Sequence, residues 1–271
     1  MDNYLPDSFA VVKDKDIKHR IKRIKAYDDY VMIYLDEEKI MISLEAYFRY
    51  NISKQKGLDD SLYDLLKKDE CVLKAYRGCL RKISLKDMSE KMIRKYLDRY
   101  ELDHDDKQDI IEKLKQYGFI DDEKYALSAA NHYDGLNYST KMVRLKLKED
   151  GILEDIINKT VVSDYEKEYR KAMKVADKIL SGSRNRSFKA KKQHVLNKLM
   201  NSGFTYEISK SVVDNTDISS ENEIELLKKE YLKTKKRYER KYSDYQLREK
   251  VYSSLIAKGF NYEDIKKVVE D

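Results

Sequence analysis

A glycine followed by an apolar residue recurs in this chain at intervals of about fifty residues. The pair is present as Gly151-Ile152, Gly203-Phe204 and Gly259-Phe260, each between two helical patterns. At a fourth matching place, Glu101-Leu102, the glycine is absent. The anchors at positions 101, 151, 203 and 259 lie 50, 52 and 56 residues apart. Self-similarity at a nearly fixed period indicates stacked structural units, which restricts the chain to repeat architectures.

The flanks of these anchors repeat as well. Aliphatic residues stand eight and four positions before each anchor, and a spacing of four places both on one face of a helix. These residues are Ile93 and Leu97, Val143 and Leu147, Val195 and Leu199, Val251 and Leu255. Aliphatic residues also fill seven of the eight positions found nine and ten residues after the anchors, from Ile110 to Val269. Leading helices are predicted at Glu70–Leu80, Asp122–His132, Asp164–Leu180 and Glu221–Lys241.

Each unit is therefore predicted to hold three helices, with a turn at the anchor between the second and the third. Glycine suits such a turn because a helix commonly ends in a left-handed residue. Glu101 must either be strained there or use another turn. Serines that can cap the second helix precede the anchors by twelve or sixteen residues, which predicts a longer second helix in the last two units. These serines are Ser89, Ser139, Ser187 and Ser243.

The segment before the repeats has a different pattern. Residues 21–27, 30–35 and 39–44 carry β-branched and aromatic residues in partial alternation, separated by acidic turns. We expect a small antiparallel β-meander, followed by a helix over 45–51. A sheet of three strands is marginal alone, so it should pack on the first helical unit.

The fold class predicted from these patterns is mainly α, with tandem three-helix repeats forming an elongated curved array and a small N-terminal β-meander. The expected divisions are a β-rich extension over 1–57 and repeats over 58–117, 118–163, 164–217 and 218–271. Composition agrees, because the chain has one proline and eight glycines while 39% of its residues are charged and 41% hydrophobic.

Composition also bears on where the chain works. No apolar run approaches the roughly 20 residues that span a bilayer, and the N-terminus lacks the pattern of a signal peptide. Cys71 and Cys79 fall within a helical pattern, which favours reduced packing residues over a disulfide or redox pair. We therefore expect a cytoplasmic protein.

The sequence contains no recognisable catalytic motif. The four histidines are scattered without the spacing of metal ligands, and no glycine-rich phosphate loop or serine elbow is present. Asp121-Asp122 can be read as a pair for acid–base chemistry or as a helix cap. Capping is favoured because adjacent helical residues do not face one another. The prediction is a non-enzyme without metal or cofactor.

A basic segment stands out in the third predicted repeat. Residues 164–217 carry 12 Lys/Arg against 7 Asp/Glu, whereas residues 119–163 carry 6 against 8. A loop at 181–187 precedes a helix start, where amides and guanidinium groups can converge on a phosphate. The alternatives are a DNA- or filament-binding surface and a merely solvated basic face, and Phe188 is read as core in preference to a base-stacking residue. The candidate binding residues are Arg184, Arg186, Lys189, Lys191 and Lys192.

A second basic run lies in the last predicted repeat, with tyrosines interleaved. Aromatic and basic residues together can bind single-stranded nucleic acid. The spacing of Tyr231, Tyr238 and Tyr242 also forms a helical stripe, and a core role is favoured for them, with the cations outside. The candidate contacts here are Lys235, Lys236, Arg237, Arg240 and Lys241.

Two motifs resemble signatures of the RecX family. The stretch GFIDDEKYA at residues 118–126 resembles the start of the family's second repeat, and Ser89-Glu90-x-x-Ile93-x-x-x-Leu97 resembles the signature of the first. The β-rich extension and the fourth repeat resemble the longer form of the family in low-GC Gram-positive bacteria. The resemblance extends from about residue 21 to the C-terminus.

The resemblance implies a regulator of the RecA recombinase. Family members bind the RecA–single-stranded DNA filament and restrain recombinase activity in DNA repair and recombination, as part of the SOS response. The expected partners are the RecA filament and, as a subsidiary contact, single-stranded DNA, with the chain itself a monomer. The alternative is a helical repeat protein that binds DNA directly and without sequence preference. Acidic surfaces at Asp103–Asp106 and Glu149-Asp150 favour the protein partner, because they would repel DNA.

Overall fold

The structure is a computed structural model, and it describes residues 11–182, 186–216 and 223–270. Within these ranges the chain is mostly α-helical, with small antiparallel sheets near the N-terminus, as predicted. It divides into two compact units, Met1–Tyr125 and Ala126–Asp271. None of the helices in the described ranges combines the length and the apolar character that a bilayer crossing requires.

Five strands form two sheets within the part of the chain that the structure describes. They are β1 (His19–Arg20), β2 (Arg23–Ala26), β3 (Tyr30–Tyr34), β4 (Lys39–Ser43) and β5 (Gly57–Leu58). The β2-β3-β4 sheet is the predicted meander, in which Ile24 lies opposite Ile33 and Ile33 opposite Ile40. Strands β1 and β5 pair separately, and that pairing was not predicted, because two-residue strands leave no periodic pattern.

Thirteen α-helices lie in the described ranges. They are α1 (Leu44–Arg49), α2 (Asp60–Ile83), α3 (Glu90–Leu97), α4 (His104–Gln116), α5 (Asp122–Gly135), α6 (Thr140–Glu149), α7 (Glu154–Thr160), α8 (Tyr165–Ser181), α9 (Phe188–Asn201), α10 (Tyr206–Asn215), α11 (Glu223–Tyr238), α12 (Asp244–Ala257) and α13 (Tyr262–Glu270). The second helices of the predicted repeats, α3, α6, α9 and α12, have 8, 10, 14 and 14 residues. The prediction that the last two are longer is confirmed.

The inner face of the β2-β3-β4 sheet packs against α2. Val31 and Ile40 are fully buried in one cluster with Leu62 and Leu66 of α2, as the marginal stability of a three-stranded sheet led us to expect. The outer edge of β4 is covered too, since the Met41 and Ser43 amides donate to the carboxylates of Glu70 and Asp69. An otherwise open sheet edge is thereby satisfied by α2.

The aliphatic positions that define the repeat form the helical cores. All eight residues found eight and four positions before the anchors are at most 3% exposed. One core gathers α2, α3 and α4, a second gathers α8, α9 and α10, and a third gathers α11, α12 and α13. Burying a side chain of this size stabilises the fold by about 1.5–3 kcal/mol, so the repeated pattern marks the positions on which folding depends.

The anchor glycines end the second helices in the expected way. Gly151, Gly203 and Gly259 have φ of 88°, 86° and 87°. At Gly151 the glycine amide donates to the Lys148 carbonyl, and the next amide donates to the carbonyl of residue 147. This pair of backbone hydrogen bonds is the Schellman motif. Glu101 does not adopt a positive φ, so the chain uses another turn there rather than a strained one.

Three of the four predicted serine caps are present. The hydroxyl oxygens of Ser89, Ser139 and Ser187 accept from amides three residues later, as N-caps do. Ser243 lies at the N-cap position of α12, but its side chain makes no capping hydrogen bond.

Two of these serines also bond to turns far along the chain. The Ser139 hydroxyl donates to the Ser202 carbonyl at 2.7 Å, and the Ser187 hydroxyl donates to the Lys258 carbonyl at 2.6 Å. Both carbonyls belong to the residue just before a left-handed glycine. A Cβ at Gly203 would lie 2.5 Å from Ser139 Oγ, so this glycine is required for the close approach as well as for its φ.

A carboxylate from a later helix completes each of these helix starts. The first amides of α3, α6 and α9 donate to acceptors 32, 28 and 35 residues further on, which are Asp122 Oδ1 at 2.9 Å, Glu168 Oε1 at 3.0 Å and Glu223 Oε1 at 3.2 Å. A negative group at a helix N-terminus satisfies an amide without an intrahelical partner and favours the helix dipole. The second helices α3, α6 and α9 are therefore capped both by a local serine and by a carboxylate from a later helix.

Candidate nucleic-acid and partner-binding surfaces

The first predicted cation cluster lies at the start of α9, and we call Arg186, Lys189, Lys191 and Lys192 the α9 surface. Arg184 lies outside the described residues. Arg186 and Lys189 are exposed, whereas Lys191 and Lys192 are half-buried. The latter two precede the buried Val195 by four and three residues, so their aliphatic stems lie beside the core while their amines reach outward.

The α9 surface carries positive charge without matching acids. The sequence has no acidic residue between Asp177 and Glu207, and none of the four cations forms an ion pair within the described ranges. Their field reaches His194, because burial together with the charges of Arg186 and Lys198 lowers the pKa of that imidazole. His194 is therefore neutral at neutral pH, and the charge of this surface comes from lysine and arginine.

Two amides in the first turn of α9 already have acceptors. The Phe188 amide donates to Glu223, and the Ala190 amide donates to the Ser187 hydroxyl at 3.3 Å. The Phe188 and Ala190 amides are therefore not free to meet a phosphate, because a carboxylate and a capping serine accept from them. The guanidinium and ammonium groups of the α9 surface remain candidate phosphate contacts.

Phe188 is half-buried at the first position of α9. The Lys192 amine lies 4.8 Å from its ring centroid, in a cation–π arrangement. The ring is partly enclosed and in contact with a neighbouring cation, which favours a packing role over base stacking.

The second predicted cluster lies at the end of α11, and we call Lys235, Lys236, Arg237, Arg240 and Lys241 the α11 surface. All five are exposed, and within the described ranges none of them forms an ion pair. The first three occupy the last turn of α11, where positive charge stabilises the helix dipole. That position accounts for part of the cluster without any ligand.

The tyrosines beside the α11 surface pack inward. Tyr231 and Tyr238 lie against the core of α11, α12 and α13, as predicted, and the Tyr242 ring centroid is 6.1 Å from that of Tyr238. Tyr245 is 77% exposed. Tyr231 and Tyr238 of the predicted stripe therefore belong to the core, whereas Tyr245, which lies beyond the stripe, is open to a ligand.

Some other cations of the described chain are paired, and Lys171 is the most buried of them. The Lys171 amine is 2.7 Å from Asp134 and 3.1 Å from Glu168, and the Glu168 carboxylate also accepts from the Thr140 amide and hydroxyl. Burial opposes the charged amine, but the hydrogen bonds that it donates to Asp134 and Glu168 outweigh this effect and raise the pKa of Lys171. This network joins α5, α6 and α8, so its charges are structural rather than available.

The residues considered for catalysis have structural partners. Asp121 caps α5 by accepting hydrogen bonds from the amides of Glu123 and Lys124. These hydrogen bonds and the nearby Lys124 amine lower the pKa of Asp121. Asp122 caps α3 instead, a role the sequence did not reveal. Burial raises the pKa of the Cys79 thiol to about 12, so it is not a nucleophile at neutral pH. In the ranges that the structure describes, no group of three or more His, Cys, Asp or Glu residues could hold a metal ion.

Comparison with known proteins gives consistent matches to one family. A family model described as RecX, third three-helix domain, matches residues 221–269. A regulatory protein RecX from Lactococcus lactis subsp. lactis is 31% identical over 246 residues, which cover 87% of this chain and 90% of that protein. A regulatory protein RecX from Streptococcus agalactiae serotype Ia is 30% identical over 195 residues, covering 70% of this chain and 74% of that protein.

A solved structure agrees with the fold. The crystal structure of a regulatory protein RecX superposes with a TM-score of 0.58 at 23% sequence identity, covering 73% of this chain and all of that one. At this identity the likeness bears on the helical fold alone.

Proposed function

The chain belongs to the RecX family of regulatory proteins, and from this premise we propose that it regulates the RecA recombinase by binding the RecA–single-stranded DNA filament. Binding restrains the recombinase, so the protein is a negative regulator in DNA repair and recombination. It acts in the cytoplasm and by occupation of a surface rather than by chemistry. Single-stranded DNA is a subsidiary contact.

The observation that carries this proposal is the unmatched positive charge of the α9 surface. Several basic residues near helix cores in this chain have a carboxylate partner, whereas Arg186, Lys189, Lys191 and Lys192 have none in the described ranges. Unpaired cations on a rigid helix are complementary to phosphates or to an acidic protein surface. Because Lys189 is held on α9 by the buried Val195 and Leu199, the charge is presented in a fixed place.

A second candidate function is direct, sequence-independent DNA binding. The exposed cations of the α11 surface favour it, because they add to the basic footprint in the same compact unit. Such binding would be steeply salt-dependent and indifferent to RecA.

The experiment measures binding to RecA filaments assembled on single-stranded DNA and, in parallel, to the same DNA without RecA. Salt is varied, and the RecA ATPase rate is followed. We expect tight binding to filaments with a falling ATPase rate, and weak, salt-labile binding to bare DNA. Equal affinity for bare DNA with an unchanged ATPase rate would contradict filament regulation and leave the second candidate.

A pair of charge-matched variants tests the α9 surface. Lys189→Glu combined with Lys191→Glu should weaken filament binding by about tenfold or more, because two attractive contacts become repulsive. Lys159→Glu combined with Lys210→Glu changes the net charge equally at two exposed helical lysines elsewhere in the same unit. Equal loss in both double variants would show that only net charge matters, not this surface.

A further inference from the structure

The outward face of the β2-β3-β4 sheet differs from its buried face. Alternation along β3 places Val31 and Ile33 in the core and leaves Tyr30, Met32 and Tyr34 on the other side, with Met41 of β4 opposite Met32. Residues directly opposite one another on neighbouring strands share a face, and Tyr34 lies opposite both Arg23 and Lys39. We call Arg23, Lys25, Tyr27, Tyr30, Tyr34 and Lys39 the sheet face.

The cations of the sheet face have no carboxylate partner. Arg23, Lys25 and Lys39 are exposed, and within the described part of the chain none of them forms an ion pair. Acidic residues lie instead in the turns at the two ends of the strands, where Asp29 pairs with Arg77 and Asp36 with Lys22. Unpaired positive charge therefore lies on β2 and β4, on either side of Met32 and Met41, and two of the acidic turn residues are already paired.

The aromatic rings of the sheet face lie next to these cations. The Arg23 guanidinium carbon is 4.3 Å from the Tyr34 ring centroid, and the Lys25 amine is 4.7 Å from that of Tyr27. Tyr27 and Tyr30 stack on each other with centroids 4.5 Å apart. A hydrogen bond from Lys25 lowers the pKa of Tyr27, with the charge of Arg23 acting in the same direction.

We propose that the sheet face binds single-stranded nucleic acid, with bases stacking on the rings of Tyr27 and Tyr34 and phosphates meeting Arg23, Lys25 and Lys39. Stacking on an aromatic ring requires an unpaired base, whereas the cations need only a phosphate backbone. The solvated Lys25 amine sits on a flexible stem and can leave the ring for a phosphate when a base arrives. The guanidinium of Arg23 is planar and already lies over Tyr34, so it can itself serve as a stacking surface.

The composition of the face argues against an apolar protein partner. Protein interfaces are depleted in lysine, whereas this face carries two lysines and an arginine around Met32 and Met41. An acidic peptide would satisfy the cations but would give the tyrosine rings nothing planar to stack on. Single-stranded nucleic acid satisfies both groups at once, and this binding needs no RecA, so it stands or falls separately from filament regulation.

A fluorescent reporter tests stacking directly. The chain contains no tryptophan, so Tyr34→Trp introduces a single indole on the sheet face. We expect a short oligothymidylate to quench its emission, and duplex DNA of the same length to do so only weakly. Tyr206→Trp, at a 56% exposed position in the other compact unit, is the matched reporter and should be unaffected. An unquenched indole at position 34 while fluorescence anisotropy reports bound oligonucleotide would overturn the proposal.

Charge reversal tests the phosphate contacts. Lys25→Glu combined with Lys39→Glu should weaken oligothymidylate binding at least about fivefold and lower the log–log salt slope by about 1.4, or roughly 0.7 for each lost phosphate contact. Lys54→Glu combined with Lys95→Glu makes the same change of charge at two exposed lysines of the same unit. Equal weakening in both double variants, or stronger quenching by a polyglutamate peptide than by the oligonucleotide, would exclude a nucleic-acid site. Tyr34→Leu, which keeps an apolar residue on the strand, should lose affinity while retaining the thermal midpoint of the parent.

Discussion

Gly203 is required for two reasons: its backbone is left-handed, and its neighbours leave no room for a Cβ. Its φ of 86° lies in the left-handed region, and a Cβ there would lie 2.5 Å from Ser139 Oγ and 3.0 Å from Met142 Cγ. Gly118 has a φ of 71°, but a Cβ there would meet nothing within 4 Å. An alanine at Gly118 would therefore meet only backbone strain, whereas an alanine at Gly203 would meet backbone strain and steric crowding together.

We expect Gly203→Ala to destabilise the protein more than Gly118→Ala. Left-handed backbone alone costs about 1–2 kcal/mol for a residue with a Cβ, and crowding at Gly203 adds about 1–3 kcal/mol. Urea unfolding, followed by circular dichroism, measures both. In the Ser139→Ala background the extra cost of Gly203→Ala should shrink, because the hydroxyl that the Cβ meets is gone. A cost unchanged in that background would mean that Ser139 is not the obstacle.

The Asp134–Lys171 pair predicts a loss of stability in acid. Burial alone would raise the pKa of Asp134, but hydrogen bonds from Lys171 and Lys167 outweigh it and lower that pKa below its usual 3.8. A carboxyl with a lowered folded-state pKa contributes stability above its unfolded pKa, and this contribution disappears as the pH falls through the folded value. Because the Asp134 side chain is 33% exposed, solvent screening keeps the effect modest.

Asp134→Asn tests this pH dependence. The variant should be less stable than the parent at neutral pH, and the two should converge as the pH falls below about 3.8. Thermal midpoints across that range measure the difference. Asp214→Asn, at an exposed residue of α10, is the control and should follow the parent throughout. A constant gap between Asp134→Asn and the parent at every pH would show that the carboxylate charge is not the cause.

The sequence predicts the local capping role of Ser139 and Ser187, but not the hydrogen bonds that they make to distant parts of the chain. Ser139 and Ser187 are recognisable as caps because their acceptor role is local, three residues along the chain. Their donor role is not recognisable, since the accepting carbonyls lie 63 and 71 residues away. Asp122 was likewise placed at the start of its own helix, whereas its carboxylate caps α3. Local capping leaves a sequence signature, and contacts between distant helices do not.

Among the elements, α9 and α12 occupy equivalent places but begin differently. The start of α9 is held by Ser187 and by Glu223, whereas Ser243 at the start of α12 makes no side-chain cap and Asp244 there has a φ of 48°. Both helices were predicted from the same serine-to-anchor spacing. The spacing fixes where a helix begins, but a later helix must supply the remaining contacts.

Ser187→Ala should therefore cost far more than Ser243→Ala. Loss of a capping hydroxyl costs about 0.5–2 kcal/mol, and the bond to the Lys258 carbonyl adds about 1 kcal/mol. Ser243→Ala removes neither contact and should stay within about 0.5 kcal/mol of the parent. The free energy of unfolding in urea compares the two variants. Similar costs at both serines would contradict the difference between the two helix starts.

The β-meander and the candidate surfaces show the same division between local and distant information. Alternation predicted β2, β3 and β4, but the basic and aromatic character of their outward face became visible only when the register placed Tyr34 between Arg23 and Lys39. The α9 cations can be found from composition alone, whereas the hydrogen bond from the Phe188 amide of α9 to Glu223 cannot. Charge can be counted along a sequence, whereas the partner of each charge cannot.

For the molecule as a whole, contacts between adjacent helical units predict that a destabilising substitution acts mainly on the helices around it. Repeat proteins are stabilised by units and by the contacts between adjacent units, so one weakened contact loosens its neighbourhood first. Ser187→Ala should speed amide hydrogen exchange in α8 to α13 while the amides of β2, β3 and β4 remain as protected as in the parent. Hydrogen exchange followed by mass spectrometry resolves the segments. Uniformly faster exchange along the chain would indicate a single cooperative unit instead.

The hydrogen bonds of Ser139 and Ser187 also join residues that are synthesised at different times. A ribosome releases the N-terminus first, so the hydroxyl of Ser139 is synthesised 63 residues before the carbonyl that it will bind. At about 5–20 residues per second, that partner arrives roughly 3 to 13 s later. Throughout this interval the start of α6 has its local cap available but not the later turn, and the start of α9 likewise lacks residue 258 until that residue is added. These hydrogen bonds can therefore be completed only in order from the N-terminal side, because each accepting carbonyl is translated after the serine that donates to it.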